Sequence, residues 1–218
     1  MLVLQQYGPQ RTGTNAVKAL VDHNLSGALV VPDGKHEIPA DYKGDGYLIS
    51  IKDPVSWIDS YYRYRRKQAD GERRAMEPLE DLVDGWLLYW QRITTSHLHL
   101  ANAVPSRTVV IQHEWLLKDP AAVLHRIRDR FDLPWSGEWD LFQQGYAKRG
   151  AGRVGAELID TSKHFDRDYH LKGKWVESLS IETVTKCLDF LDAFEHYYPE
   201  HIKHFRLDHL DEARELAR

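Results

Sequence analysis

Short apolar runs alternate along this chain with longer stretches in which apolar residues recur every three or four positions. Leu2 to Tyr7 begins the series as a buried strand, and Thr14 to Asn24 follows with helical spacing. Ala28-Leu-Val-Val-Pro32 is a second short strand, and Tyr47-Leu-Ile-Ser-Ile51 a third, ending at Lys52. Asp53 and Pro54 supply a cap and a first-turn proline for a helix carrying Trp57, Ile58, Tyr61 and Tyr62 at three-to-four spacing. A long helix is expected from Pro78 to Leu100, with Leu79, Leu82, Trp86, Tyr89, Trp90 and Ile93 on one stripe. Thr108 to Ile111 is the fourth strand. Asp119-Pro120 repeats the cap-plus-proline pattern before a helix over Ala122–Phe131, and Ser180 caps another that runs to His196. Between these lie polar stretches: 33–46 is rich in turn formers, 67–77 is charged, and 135–172 is irregular with Gly-rich basic patches. The tail from Asp208 to Arg218 reads as a charged helical segment that frays.

Strands alternating with helices predict an α/β fold with a mostly parallel sheet, in one domain spanning residues 1–218. In such sheets ligands gather at the carboxyl ends of the strands. Three chemically loaded stretches lie at those ends: Gly8–Asn15, Lys52, and Gln112–Glu114.

Composition narrows the class. The chain has 218 residues, 42% hydrophobic and 28% charged, with a net charge of −4, which argues against a general nucleic-acid binder. Its one cysteine, Cys187, sits among apolar neighbours and reads as a core thiol. With neither a leader-like segment nor a long apolar run, a cytoplasmic protein without membrane insertion is expected. His97 and His99 are two apart on a helix and point to different sides, so the spacing offers no metal site.

The stretch Gly8-Pro-Gln-Arg-Thr-Gly-Thr-Asn15 is a turn opening a helix, where unpaired backbone N–H groups attract an anion. Gly8 and Gly13 let the backbone bend, Thr12 and Thr14 add hydroxyls, and Arg11 adds a two-pronged cation. It lacks the Gly-Lys-Ser/Thr of a nucleoside triphosphatase loop.

Pro9-Gln-Arg-Thr-Gly-Thr14 together with Lys52-Asp-Pro-Val-Ser-Trp-Ile-Asp-Ser60 resembles the sulfotransferase family, whose members use 3'-phosphoadenylyl sulfate (PAPS) on a three-layer fold related to P-loop NTPases. Val109-Val-Ile-Gln-His-Glu-Trp-Leu-Leu-Lys-Asp-Pro120 and His170-Leu-Lys-Gly-Lys-Trp175 are similar to two further family segments. The resemblance implies that Gln10, Arg11, Thr12, Gly13, Thr14 and Asn15 wrap the donor's 5'-phosphosulfate. It implies that Lys52 and Ser60 grip the 3'-phosphate, that His113 lies near the adenine, and that Lys172 and Gly173 close over the donor. The implied product is adenosine 3',5'-bisphosphate, and the implied reaction needs no metal. Arg11 would stabilise charge on the leaving group. For the base that takes the acceptor's proton, Lys35-His-Glu-Ile-Pro39 supplies two candidates, His36 by residue type and Glu37 by register.

Lysine instead of arginine at position 52 exchanges a fork for a point charge. Ala16 stands where a tryptophan often stacks on adenine in the family, leaving Trp57, Trp115 and Trp175 as stacking candidates. The acceptor is expected to be a small molecule or carbohydrate. A P-loop-type kinase and a non-catalytic nucleotide-binding module on the same fold are the alternatives.

Overall fold

A computed structural model describes residues 1–32, 34–39, 44–137, 178–205 and 207–218. Its centre is a four-stranded sheet: β1 (Leu2–Tyr7), β2 (Ala28–Val31), β3 (Gly46–Ile51) and β4 (Thr108–Gln112). The spatial order is β2-β1-β3-β4, and every neighbouring pair is parallel. The α/β class read from the sequence is the observed one, and the topology is consistent with a P-loop-like fold.

Parallel strands covered on both faces read as continuous apolar runs, and β3 shows why. All six of its residues are buried. Tyr47, Ile49 and Ile51 face one core while Leu48 faces the other.

The first core joins that face of β3 to α2 (Pro54–Gly71), α3 (Leu79–Ala103) and α6 (Ile181–Tyr197). Trp57, Trp90 and Tyr47 are its largest fully buried members, with Phe194 beside them. The second core joins the opposite face to α1 (Thr14–Asn24), α4 (His113–Lys118) and α5 (Pro120–Phe131), through Val17, Leu20, Leu116, Leu124 and Ile127. Helices on both sides of one sheet make three layers.

Asp53 accepts from the Ser56 amide at 2.8 Å, Asp119 from Ala122 at 2.9 Å and Ser180 from Thr183 at 3.2 Å, so each capping residue expected at a helix start serves there. Some boundaries differ from expectation. α2 continues through the polar stretch to Gly71, carried by the buried Ala69. The segment after β4 turns at once into α4.

After α6 come α7 (Pro199–Ile202), a 3₁₀ turn (Asp208–Leu210) and α8 (Asp211–Leu216). Leu210 and Ala213 are fully buried in the first core, so this tail is docked rather than frayed. Cys187 is likewise enclosed, and burial raises its thiol pKa. No described helix is long and apolar enough to cross a membrane.

Candidate functional site

The carboxyl ends of β1, β3 and β4 converge on one region. β1 leaves the sheet at Gly8, pressed so closely on β3 that a Cβ there would lie 2.4 Å from the Ser50 carbonyl oxygen and 2.7 Å from Thr12 Oγ1. Thr12 is buried and its hydroxyl donates to the Pro9 carbonyl at 2.7 Å, closing the turn. Arg11 (φ 70°) and Gly13 (φ 82°) both adopt the left-handed conformation on either side of Thr12. Such a reversal turns successive backbone N–H groups toward one concavity, a geometry that suits anions.

Gly13 is the N-cap of α1 and no side chain caps that helix, so its first amides face the turn unpaired by any cap. Trp57 Nε1 donates to the Gln10 carbonyl at 2.7 Å, and Gln6 Nε2 to the Thr14 carbonyl at 2.6 Å, anchoring the turn to α2 and β1. Arg11 is exposed, with its guanidinium carbon 5.4 Å from the Tyr64 ring centroid. Desolvation by these neighbours, and then Arg63, lower its pKa.

A second turn, at 34–37, crosses the first at Gly8. The Gly8 amide donates to the Lys35 carbonyl at 2.9 Å, and His36 Nδ1 donates back to the Gly8 carbonyl at 2.7 Å. That bond fixes the tautomer and leaves Nε2 as the proton acceptor. Burial lowers the His36 pKa, partly opposed by the Gly8 bond and reinforced by Lys35, so the ring is neutral at pH 7. Lys35 Nζ reaches Asn15 Oδ1 at 2.6 Å.

Glu37 is exposed, and its main-chain carbonyl accepts from His97 Nε2 at 2.8 Å. His97 is fully buried beside the Tyr7 ring, and burial depresses its pKa to about 4. Of the two candidate bases, His36 is the one built into the crossing of the turns.

Lys52 and Ser60 meet as their eight-residue spacing requires, Nζ donating to Oγ at 2.8 Å. Both are buried, and Trp90 Nε1 holds the Lys52 carbonyl at 2.9 Å. Burial lowers the Lys52 pKa, opposed by Glu114, Asp53 and Asp59, while Arg11 is near enough to lower it further. An exposed cation on this side is Arg63, paired with the buried Asp59 at 2.8 Å.

His113, at the end of β4, packs directly on Gly13: a Cβ there would lie 2.9 Å from its Cδ2. His113 Nδ1 lies 3.5 Å from Glu114 Oε1. Burial and then Lys52 lower the His113 pKa, with Glu114 opposing. Glu114 is lowered as well: burial alone would raise it, but the His113 bond and the charges of His113, His209 and Lys52 prevail. Beyond Glu114 lies Ser56, whose hydroxyl is 3.1 Å from Glu114 Oε1 and is also hydrogen-bonded to Asp53 Oδ2. Asp53 in turn pairs with His209 Nε2 at 2.9 Å. Burial would lower the His209 pKa, but the charge and bond of Asp53 lift it to about 9.

The structure thus gathers Gln10, Arg11, Thr12, Gly13, Thr14 and Asn15 in one turn, sets His36 and His113 against it, and seats Lys52 with Ser60 beneath. Lys172, Gly173 and Trp175, with the basic stretch 148–153, lie outside the described residues. Trp57 is sealed between Tyr61 and the Gln10 carbonyl, and the Trp115 ring faces Arg126 at 4.9 Å. Trp57 is therefore no open platform for a base. Sequence reasoning placed Glu114 at a strand end and His97 on a helix without giving either a partner, and it missed His209. His209 is 156 residues from Asp53, and only the docking of the tail brings the two together.

Neither a family model nor a curated protein matches the chain. Among solved structures, a sulfotransferase domain from the curacin biosynthetic pathway is similar over 50% of this chain at 25% identity, with a TM-score of 0.36. The match covers 36% of that domain's own chain, about a third of its length.

Proposed function

We propose that the chain is a sulfotransferase that moves a sulfuryl group from PAPS to a hydroxyl or amine of a small-molecule or carbohydrate acceptor. The observation that carries this reading is the pinning of His36 to Gly8: a neutral base of fixed tautomer stands at the strand end that also carries the anion turn. The acceptor oxygen attacks sulfur in line, the bond from sulfur to the 5'-phosphate oxygen breaks, and the acceptor proton passes to His36 Nε2. Charge then collects on the departing 5'-phosphate. Arg11 and the amides around Gly13 are assigned to meet it there, which favours the transition state over the bound donor.

Lys52 and Ser60 are assigned to the 3'-phosphate, which would replace the bond they now make to each other. Lys172 and Gly173 are assigned to the closing segment on the resemblance alone.

Phosphoryl transfer from a magnesium nucleotide is the second reading. It is favoured by Asp53 and Glu114, two carboxylates that follow β3 and β4. Thermal melting separates the two. Adenosine 3',5'-bisphosphate alone should stabilise a sulfotransferase, whereas a rise seen only with ATP and magnesium would install the kinase instead. Arg11→Ala should lower the transfer rate by about 10²–10³-fold while leaving the melting temperature unchanged, because Arg11 is exposed. An unimpaired rate would remove Arg11 from the step.

A further inference from the structure

Below the turn, Asp53 is well supplied with donors, by the Ser56 amide and His209 Nε2, while the neighbouring buried carboxylate of Glu114 is not. Ser56 Oγ contacts both Asp53 Oδ2 and Glu114 Oε1, yet a hydroxyl has one proton to give. Glu114 Oε2 is enclosed and accepts from nothing among the described residues. The nearby ammonium of Lys52 donates to Ser60. A buried carboxylate oxygen without a donor is costly, and a cation is one way to satisfy it.

The surroundings supply the remaining donors. Asp53 comes from the β3–α2 junction, Glu114 from the first turn of α4, and His209 from the 3₁₀ turn at Asp208–Leu210. One ligand atom from each lies within 4.8 Å of the other two. A metal about 2.0–2.2 Å from each ligand separates neighbouring ligands by about 3.4 Å in tetrahedral geometry, so small side-chain shifts bring the three onto one ion, which displaces to solvent the proton that His209 Nε2 shares with Asp53.

We propose that Asp53, Glu114 and His209 form a binding site for one divalent cation. Two carboxylate oxygens and one imidazole nitrogen are a donor set suited to zinc and manganese more than to calcium, which prefers oxygen throughout. Asp53 has no exposed side-chain surface and His209 has 17%, so an ion enters from the His209 side. Once seated it ties the C-terminal segment to the first turns of α2 and α4. Its role is that of a clasp beside the anion turn. The site stands apart from the sulfuryl-transfer reading and is tested without any turnover.

The test uses the full chain stripped with chelator, then titrated with zinc chloride and, separately, magnesium chloride, with melting temperature and equilibrium dialysis as readouts. One tightly bound zinc per chain is expected, raising the melting temperature by about 5 °C at a hundredfold excess over Kd. Magnesium should give a smaller rise at equal concentration. His209→Asn and Glu114→Gln should each weaken zinc binding by about tenfold or more. If Glu114→Gln does not fold, His209→Asn, near the surface, still decides the matter. Absence of stoichiometric zinc in the parent chain would overturn the site. So would zinc binding of equal strength in His209→Asn, because other histidines would then be the ligands.

Discussion

At the scale of single residues, the side chain with the clearest chemical task is His36. Its Nδ1 proton is engaged by the Gly8 carbonyl and its Nε2 is left to accept. Replacing it with glutamine keeps a donor for Gly8 and removes the base, so kcat should drop by about 10²–10⁴-fold with little change in donor affinity. The pH profile gives a second readout. Activity should hold down to below pH 6.5 and then fall on the acid side as His36 protonates, because burial depresses its pKa. An acid limb that persists in the glutamine variant would assign the base elsewhere.

Arg11, Gly13 and Thr12 were legible in the sequence because their roles are local: a turn, a helix start and a hydroxyl within a few positions. Which of His36 and Glu37 meets Gly8 was not, since that contact spans 28 residues. Lys52 was legible as a strand-end cation, but its enclosure by Ser60 and Trp90 comes from packing that no local pattern carries.

At the scale of elements, the site depends on β1 and β3 approaching at Gly8. A methyl group there would enter the Ser50 carbonyl, a backbone atom that cannot swing aside. Gly8→Ala should therefore cost about 3 kcal/mol in denaturant unfolding and displace the turn. An unchanged midpoint would show that the strands can part. The four strands and the helix caps were readable because apolar runs and Asp-Pro or Ser starts act over short windows. The length of α2 was not readable. Residues 67–71 are polar, yet a helix already begun extends at little cost, and Ala69 anchors its last turn.

At the scale of the whole molecule, acid should loosen the fold before it reaches the carboxylates. His97 and His204 both have pKa values near 4, depressed first by burial; His36 further lowers the former, while Lys203, His201 and Arg126 further lower the latter. The Glu37 carbonyl bond opposes the shift at His97. In the unfolded chain both take up protons near pH 6.5, so their contribution is full above that pH and is lost as pH falls toward about 4. Calorimetric melting temperatures should decline through that window. A level profile would mean that neither ring is neutral and enclosed.

The tail belongs to this scale as well. Leu210 is fully buried, and Leu210→Ala should cost about 2–5 kcal/mol in urea unfolding. A loss under about 0.5 kcal/mol, typical of surface changes, would return residues 208–218 to the frayed state that their charge suggested.

The docking of that tail sets an order of events during synthesis. A nascent chain can pair β1 through β4 and shape the anion turn long before residue 209 has left the ribosome, but Asp53 gains its imidazole partner only after that. Maturation of the strand-end charges therefore waits for residue 209, and a nascent chain stalled short of it would have the sheet without the finished electrostatics beneath its turn.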